Sequence, residues 1–242
     1  MGTTHVSDPT PLHGRVAVVT GATRGIGRAT TSQLSELGAR VVGIARHPPG
    51  GRAGEPLETC LRADVRSFGS VVGAMEGVVS RFGGIDIVVA NAGLGEQSSV
   101  LTGDHHRWWE VIETNLLGLA YTLRAALPHL ADRHGHAVIL ASVAGLESYV
   151  GEPAYLASKW GAVGLGRALR REALAYGVRC TIVSPGLVET EMTHASPEVE
   201  AWLSRVDPLR PDDVAAAIVF ALVQPRHVVL SEVTVRPTLQ EV

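Results

Sequence analysis

Residues 15–27, Arg-Val-Ala-Val-Val-Thr-Gly-Ala-Thr-Arg-Gly-Ile-Gly, decide the fold. Arg15–Thr20 is a short run rich in β-branched residues, the pattern of a buried strand. It passes straight into the glycine turn 21–27, and Arg28–Leu37 follows with amphipathic spacing, closed by Gly38 as a C-cap. Strand, glycine turn and helix in that order make a glycine-rich motif credible as a dinucleotide site. The glycines allow a tight turn and close backbone approach, and the helix N-terminus offers unpaired N–H groups to a pyrophosphate. The spacing is G-x3-G-x-G rather than G-x-G-x-x-G, and taken alone it is compatible with a mere tight turn.

The rest of the chain repeats the alternation. Strands are predicted at Arg40–Ala45, Leu57–Leu61, Ile85–Ala90, Ala137–Ala141, Val178–Val183 and Val228–Val235. Helices are predicted at Phe68–Phe82, Asp104–His129 (with Pro128 in the last turn), Pro153–Tyr176 and Pro211–Val223. Residues 47–54 hold too much Pro and Gly for a helix, so the second crossover helix is expected to be absent or vestigial. Glu189–Arg205 is polar and is expected to be mobile. The pattern predicts an α/β fold: a single-domain, Rossmann-like, doubly wound parallel sheet of about seven strands with helices on both faces. Residues 1–13 read as a disordered tail and 14–242 as one catalytic domain. Ligands of such a sheet bind beyond the carboxyl ends of the strands. The glycine turn, Asp64, Asn91, Ser142 and Pro185-Gly186 all fall there.

A net charge of −3 gives no electrostatic case for nucleic acid or an anionic membrane. No apolar run approaches the roughly 20 residues that a membrane span needs, and no signal peptide is read at the start. Cys60 and Cys180 fall in different strands, which favours free thiols and a cytoplasmic location over a disulfide. Ten histidines show no metal-ligand spacing, so no metal is expected; His105, His106, His134 and His136 read as helix-surface and loop residues.

Of 21 Lys plus Arg, one is lysine, Lys159. A chain that uses arginine everywhere else places an ammonium, a compact charge with three rotatable donors, at this one position. On the helix from Pro153, Tyr155 and Lys159 stand four apart and share a face. A phenol ordinarily titrates near about 10, and a nearby cation is expected to lower it toward a useful acid–base range. Tyr149 has no lysine four residues on and serves as the contrast.

With these residues in view, the chain from Arg15 onward resembles the short-chain dehydrogenase/reductase family, in its single-domain branch of about 250 residues. The resemblance rests on TGATRGIG at 20–27, Asp64, NAG at 91–93, Asn115, Ser142 thirteen residues before Tyr155, Tyr155-x3-Lys159, Pro185-Gly186 and Thr190. It implies that Tyr155 protonates a carbonyl oxygen, or takes the proton in the reverse direction. It implies further that Lys159 lowers the phenol and holds the nicotinamide ribose, that Ser142 hydrogen-bonds the substrate oxygen, and that Asn115 binds a relay water. Cofactor contacts are implied for Gly21, Thr23, Arg24, Gly25, Ile26 and Gly27 of the turn, for Asp64 at the adenine, and for Asn91, Ala92 and Gly93 on the adenosine side. Pro185, Gly186, Val188 and Thr190 are implied near the carboxamide. The family often has two asparagines before Ala-Gly; here the first position is Ala90.

Enzymes of this shape that choose NAD carry an acid at the end of the second strand. This chain has Ala45-Arg46 there, with Arg24 inside the turn, and two guanidiniums suit a 2′-phosphate. The expected cofactor is NADP(H), and the expected activity is NADPH-dependent reduction of a small-molecule ketone or aldehyde. An NAD(P)-dependent alcohol dehydrogenase or epimerase, and a non-catalytic NADP-binding regulator, are the alternatives. Substrate walls are expected at 94–98, 146–152 and 187–206, with Tyr149, Met192 and Trp202 as apolar contacts. In the family, long helices like 104–129 and 153–176 form the main subunit contact, so a homotetramer is expected before a homodimer.

Overall fold

A computed structural model describes residues 10–48, 59–149, 151–194 and 205–240. The strands are β1 (Val16–Thr20), β2 (Arg40–Ala45), β3 (Cys60–Arg62), β4 (Ile87–Ala90), β5 (His136–Leu140), β6 (Arg179–Pro185) and β7 (Glu232–Val235). They form one parallel sheet in the order β3-β2-β1-β4-β5-β6-β7. The chain winds from β1 toward β3 and then returns to lay β4 on the other side of β1. The crevice therefore opens between the carboxyl ends of β1 and β4, where Gly21 and Asn91 leave the sheet.

Alternation within β1 explains the two layers. Val16 and Val18 face a core shared with α2 (Phe68–Phe82), α4 (Gly118–Arg133) and α5 (Pro153–Ala173), through residues such as Met75, Leu130 and Leu169. Ala17 and Val19 face the opposite core, shared with α1 (Gly25–Glu36) and α7 (Pro211–Leu222) through Leu34 and Ile218. A strand covered on both faces needs apolar residues at every position, which is why β1 reads as an unbroken run.

The structure corrects several boundaries. Residues 10–13 are no tail: Leu12 is buried, its N–H bonds Leu37 O, and Gly38 (φ +87°) lets Thr10 and His13 pack where a Cβ would stand. Helix α4 runs through Pro128 to Arg133, since Arg124, whose carbonyl loses its donor, and Pro128 both lie on the exposed face. The single helix expected over 104–129 is instead α3 (His105–Ile112), a π turn (Glu113–Leu117) and α4. Strand β7 begins at Glu232 because Val228 closes a turn onto Pro225 O and its carbonyl accepts from Arg179 Nη1. His136 is no loop residue either; it opens β5, fully buried, with Nε2 2.8 Å from Thr181 Oγ1. Of the expected mobile stretch, Glu191–His194 forms the short helix α6. Residues 195–204, including Trp202, lie outside the described residues, as do 49–54 of the missing-helix reading and 57–58 of the third strand.

Among the described residues both cysteines are free, no helix is long and apolar enough to cross a membrane, and no cluster of His, Cys, Asp or Glu could hold a metal.

Candidate active site

The glycine turn is built so that only glycine fits. Gly21 has φ +66°, and a Cβ on it would stand 2.9 Å from Asn91 Nδ2. A Cβ on Gly27 would meet Gly21 O at 2.2 Å and Asn91 Nδ2 at 2.6 Å, so a side chain there would force the turn open. Gly25 (φ +50°) lies against the Thr190 side chain. Helix α1 starts at Gly25 behind Arg24, with no side-chain cap on its first N–H groups. Uncapped amides beside a turn whose glycines leave the backbone bare at 21, 25 and 27 are the donor set a dinucleotide pyrophosphate requires, so the residues present fit that group. Thr23 and Ile26 belong to the same turn and its first helical residues.

Asn91 works on the protein itself. Its Nδ2 donates to Thr20 O at 2.8 Å and Gly21 O at 3.2 Å, while Thr20 Oγ1 accepts from the N–H of Asn91 and of Ala92. This lattice fixes the crevice floor and brings Gly93 within reach of Asn115. Asp64 is also engaged: both carboxylate oxygens accept from Arg66, whose Nη2 lies 2.7 Å away. Arg66, with a smaller contribution from Arg46, holds the Asp64 carboxyl below its ordinary range. Arg46 itself is exposed just past β2, and Arg24 pairs loosely with Glu191 at 3.4 Å.

Asn115, Ser142, Tyr155 and Lys159, the four residues implied as catalytic, converge on the ends of β4 and β5. Ser142 leaves β5 in extended conformation and accepts from Ala144 N at 3.2 Å, opening a 3-10 turn over Val143–Gly145. A Cβ on Gly145 would reach Lys159 O at 2.5 Å, so glycine lets that turn press against α5. Lys159, 7% exposed, donates from Nζ to Leu140 O at 3.0 Å. Burial lowers its pKa to about 8. Nζ stands 5.6 Å from the centroid of the Tyr155 ring.

The expected lowering of the phenol by Lys159 is not found. Burial pushes Tyr155 up to about 12, against the hydrogen bond with Ser142, and the Glu152 carboxylate pushes the same way as burial. The reason is geometric: the ammonium is turned to the Leu140 carbonyl and stands off the ring, so it does not offset desolvation of a phenolate.

The Asn115 side chain is engaged by the protein itself. It sits in the π turn, 3% exposed, with both amide hydrogens and one lone pair of the amide oxygen bonded. Oδ1 accepts from Leu94 N at 2.8 Å, and Nδ2 donates to Leu94 O at 2.9 Å and to Ser158 Oγ at 3.0 Å. Ser158 Oγ donates in turn to Tyr155 O at 2.7 Å. The extra residue of the π turn aims this side chain between the loop after β4 and the first turns of α5.

Pro185 ends β6, and Gly186 packs where a Cβ would meet Gln240 Oε1 at 2.2 Å. Val188 is buried and pairs with Leu209. Leu187 N donates to Gln240 Oε1 and Thr190 N to Thr193 Oγ1, each at 2.8 Å, so the start of the 186–194 stretch is anchored to the C-terminal segment and its end is braced internally.

One residue of the site escaped sequence reasoning: Ser158 carries a readable signal, three residues after Tyr155 and so on its face. Glu96 and Glu152 fall within the expected walls 94–98 and 146–152; Glu152 is three residues from Tyr149, and only the fold brings Glu96 toward them. Trp108 Nε1 donates to Glu96 Oε1 at 2.9 Å, Ser98 Oγ donates to that same oxygen, and Tyr149 OH donates to Glu152 Oε2 at 2.6 Å. Glu152 holds the left-handed conformation (φ 55°) at the start of α5, and its N–H bonds Ser98 O. Burial first, then Glu152, keeps the Tyr149 phenol protonated well above its ordinary range, which sets it apart from Tyr155 as an acid. Met192 packs against Gly95.

Comparison with known proteins gives the same assignment. The family model for short chain dehydrogenases matches residues 15–201. An uncharacterized oxidoreductase of Staphylococcus epidermidis is 36% identical over 228 residues, covering 92% of this chain and 97% of its own. One of Staphylococcus saprophyticus is 36% identical over 238 residues, covering 93% and 98%. Among solved structures, an alcohol dehydrogenase from Thermococcus sibiricus complexed with 5-hydroxy-NADP is 30% identical, with a TM-score of 0.82 over 94% of this chain and 98% of that one. Levodione reductase is 26% identical, with a TM-score of 0.81 over 92% and 96%. The ligand-free aldohexose dehydrogenase of Thermoplasma acidophilum, 23% identical with a TM-score of 0.83 over 94% of each chain, shares the fold. With a seven-stranded parallel sheet, a glycine turn under α1 and a match over most of its length, the chain belongs to the short chain dehydrogenase family of oxidoreductases.

Proposed function

We propose that this protein is an NADP(H)-dependent carbonyl reductase acting on a small ketone or aldehyde, with residues 14–242 working as one catalytic domain in the cytoplasm. The observation that carries the reading is the joining of Ser142, Tyr155 and Lys159 at one crevice, beside the uncapped start of α1. A nicotinamide dinucleotide, when bound, supplies the hydride. Ser142 Oγ and Tyr155 OH hold the substrate oxygen between them, and the Tyr155 proton passes to that oxygen as the carbonyl becomes an alcohol. Lys159, its pKa lowered to about 8 by burial, meets the ribose hydroxyls. The Asn115 amide keeps α5 in place, and any water relay to Lys159 runs over backbone groups of the π turn. Pro185, Gly186, Val188 and Thr190 border the carboxamide end, and Asp64, held by Arg66, borders the adenine.

The choice of NADP rests on charge. Strand β2 ends without an acid, Arg46 makes no ion pair among the described residues, and Arg24 stands in the glycine turn, held only by an exposed pair with Glu191. The 5-hydroxy-NADP held by the Thermococcus relative accords with this. That relative's name also favours the reverse direction, alcohol oxidation, as the second reading.

NADPH absorbance with a panel of carbonyl compounds tests the reading. Tyr155→Phe should lower kcat by about 10²–10⁴-fold with NADPH affinity kept, as for a positioned acid. Arg46→Ala should weaken NADPH by about 10- to 100-fold and leave NADH unchanged, the value of one charge-assisted hydrogen bond. Equal loss for both cofactors would refute the NADP assignment, and a Tyr155→Phe enzyme of full rate would refute the mechanism.

A further inference from the structure

A second concave site lies at the opposite end of the sheet, at the amino ends of β1, β4, β5 and β6. It is a cavity of about 100 Å³, several times the ~10–15 Å³ that one water occupies on this measure. Three arginines line it, Arg15, Arg179 and Arg226, with a single carboxylate, Asp86. Asp86 is already spent: Oδ1 pairs with Arg15 at 3.0 Å and Oδ2 accepts from Val16 N at 2.9 Å. Arg179 finds only backbone carbonyls, Gln224 O at 3.1 Å and Val228 O at 3.3 Å. Neither Arg179 nor Arg226 has a carboxylate partner among the described residues. Burial, then Arg15 and Arg226, make the charge on Arg179 harder to hold than usual.

The second observation is independent of those charges. His136 lines the same cavity, is 1% exposed, and its Nδ1 has no hydrogen-bond partner among the described residues. A buried polar atom without a partner is costly, and here it sits beside gathered cations. Burial and Arg179 keep the ring neutral, down to about 3. In the tautomer in which Thr181 Oγ1 donates to Nε2, Nδ1 carries the proton and offers a donor.

We propose that this cavity binds a small tetrahedral dianion of the phosphate class, held by the Arg179 and Arg226 guanidiniums and by His136 Nδ1–H. Two positive charges in excess of Asp86 match a dianion, the cavity admits a group of a few heavy atoms, and the site stands apart from the catalytic crevice. Nothing in the hydride chemistry uses it.

Calorimetric titration of inorganic phosphate into the full chain, at fixed ionic strength, tests the proposal. Wild type should bind one phosphate per chain saturably. Arg226→Glu should weaken that binding tenfold or more, while catalytic turnover stays unchanged, because Arg226 is exposed and remote from Tyr155. Arg46→Ala, which alters the proposed 2′-phosphate site, should bind phosphate as wild type does. Absence of saturable binding, an Arg226→Glu protein that binds normally, or loss of binding in Arg46→Ala would each overturn it. If Arg226→Glu fails to fold, Arg226→Gln is read in its place, with the same direction expected.

Discussion

Replacing Asn115 with alanine separates a clamp from a proton relay. The change deletes three hydrogen bonds, to Leu94 N, Leu94 O and Ser158 Oγ, all between 2.8 and 3.0 Å. Ser158 keeps its bond to Tyr155 O, so the cost falls on the two backbone groups of Leu94. An orphaned buried polar group costs about 1–3 kcal/mol, and Leu94 is only half-buried, so the pair amounts to about 2–4 kcal/mol. For a chain of this size that lowers Tm by roughly 4–16 °C, at about 2–4 °C per kcal/mol. Thermal unfolding followed by circular dichroism reads the effect, and kcat below the transition reads the chemistry. The clamp predicts a clear fall in Tm together with a loss of kcat as the first turn of α5 loosens. A variant with unchanged Tm and a collapsed kcat would refute the clamp and return Asn115 to a relay role.

The remaining expectations are quicker to state. Lys159 has a folded pKa of about 8, below its unfolded value, so the folded protein releases its proton first. The buried ammonium opposes folding fully below pH 8, and that penalty fades as pH rises toward the unfolded pKa. Urea unfolding should therefore show wild type gaining about 2 kcal/mol between pH 7 and 9.5 relative to Lys159→Met, and parallel pH profiles would reject the shift. Glu191→Ala frees Arg24 from an exposed pair worth at most about 1 kcal/mol, so NADPH affinity should rise no more than about fivefold, as read by fluorescence titration. A larger gain would mean that Glu191 repels the phosphate directly. Trp109, Leu117 and Trp160 are exposed on the helices expected to join subunits. Trp160→Asp should shift the species seen by light scattering from tetramer or dimer toward monomer, and a monomeric wild type would dismiss the assembly.

The sequence alone determined the sheet, the position of the crevice and the pairing of Tyr155 with Lys159 on one helix face, because each has a local cause. Unbroken apolar runs mark strands covered on both faces, glycines at 21, 25 and 27 mark a turn without room for Cβ, and an i,i+4 spacing places Tyr155 and Lys159 on one face of a helix. What tertiary structure decided are quantities set by neighbours far along the chain. Whether Lys159 offsets the burial of Tyr155 depends on Leu140 O, nineteen residues away, which turns the ammonium aside. The role of the Asn115 amide depends on Leu94 and Ser158 meeting at a π turn that periodicity smooths into one long helix. The burial of His136 depends on β5 lying between β4 and β6, with Arg179 opposite it in the register and Thr181, two residues further along β6, meeting its Nε2. Residue types and local spacing fix which groups a chain brings to a site. Packing fixes their solvation and their partners, and through those their pKa values, so these became visible only once the sheet was assembled.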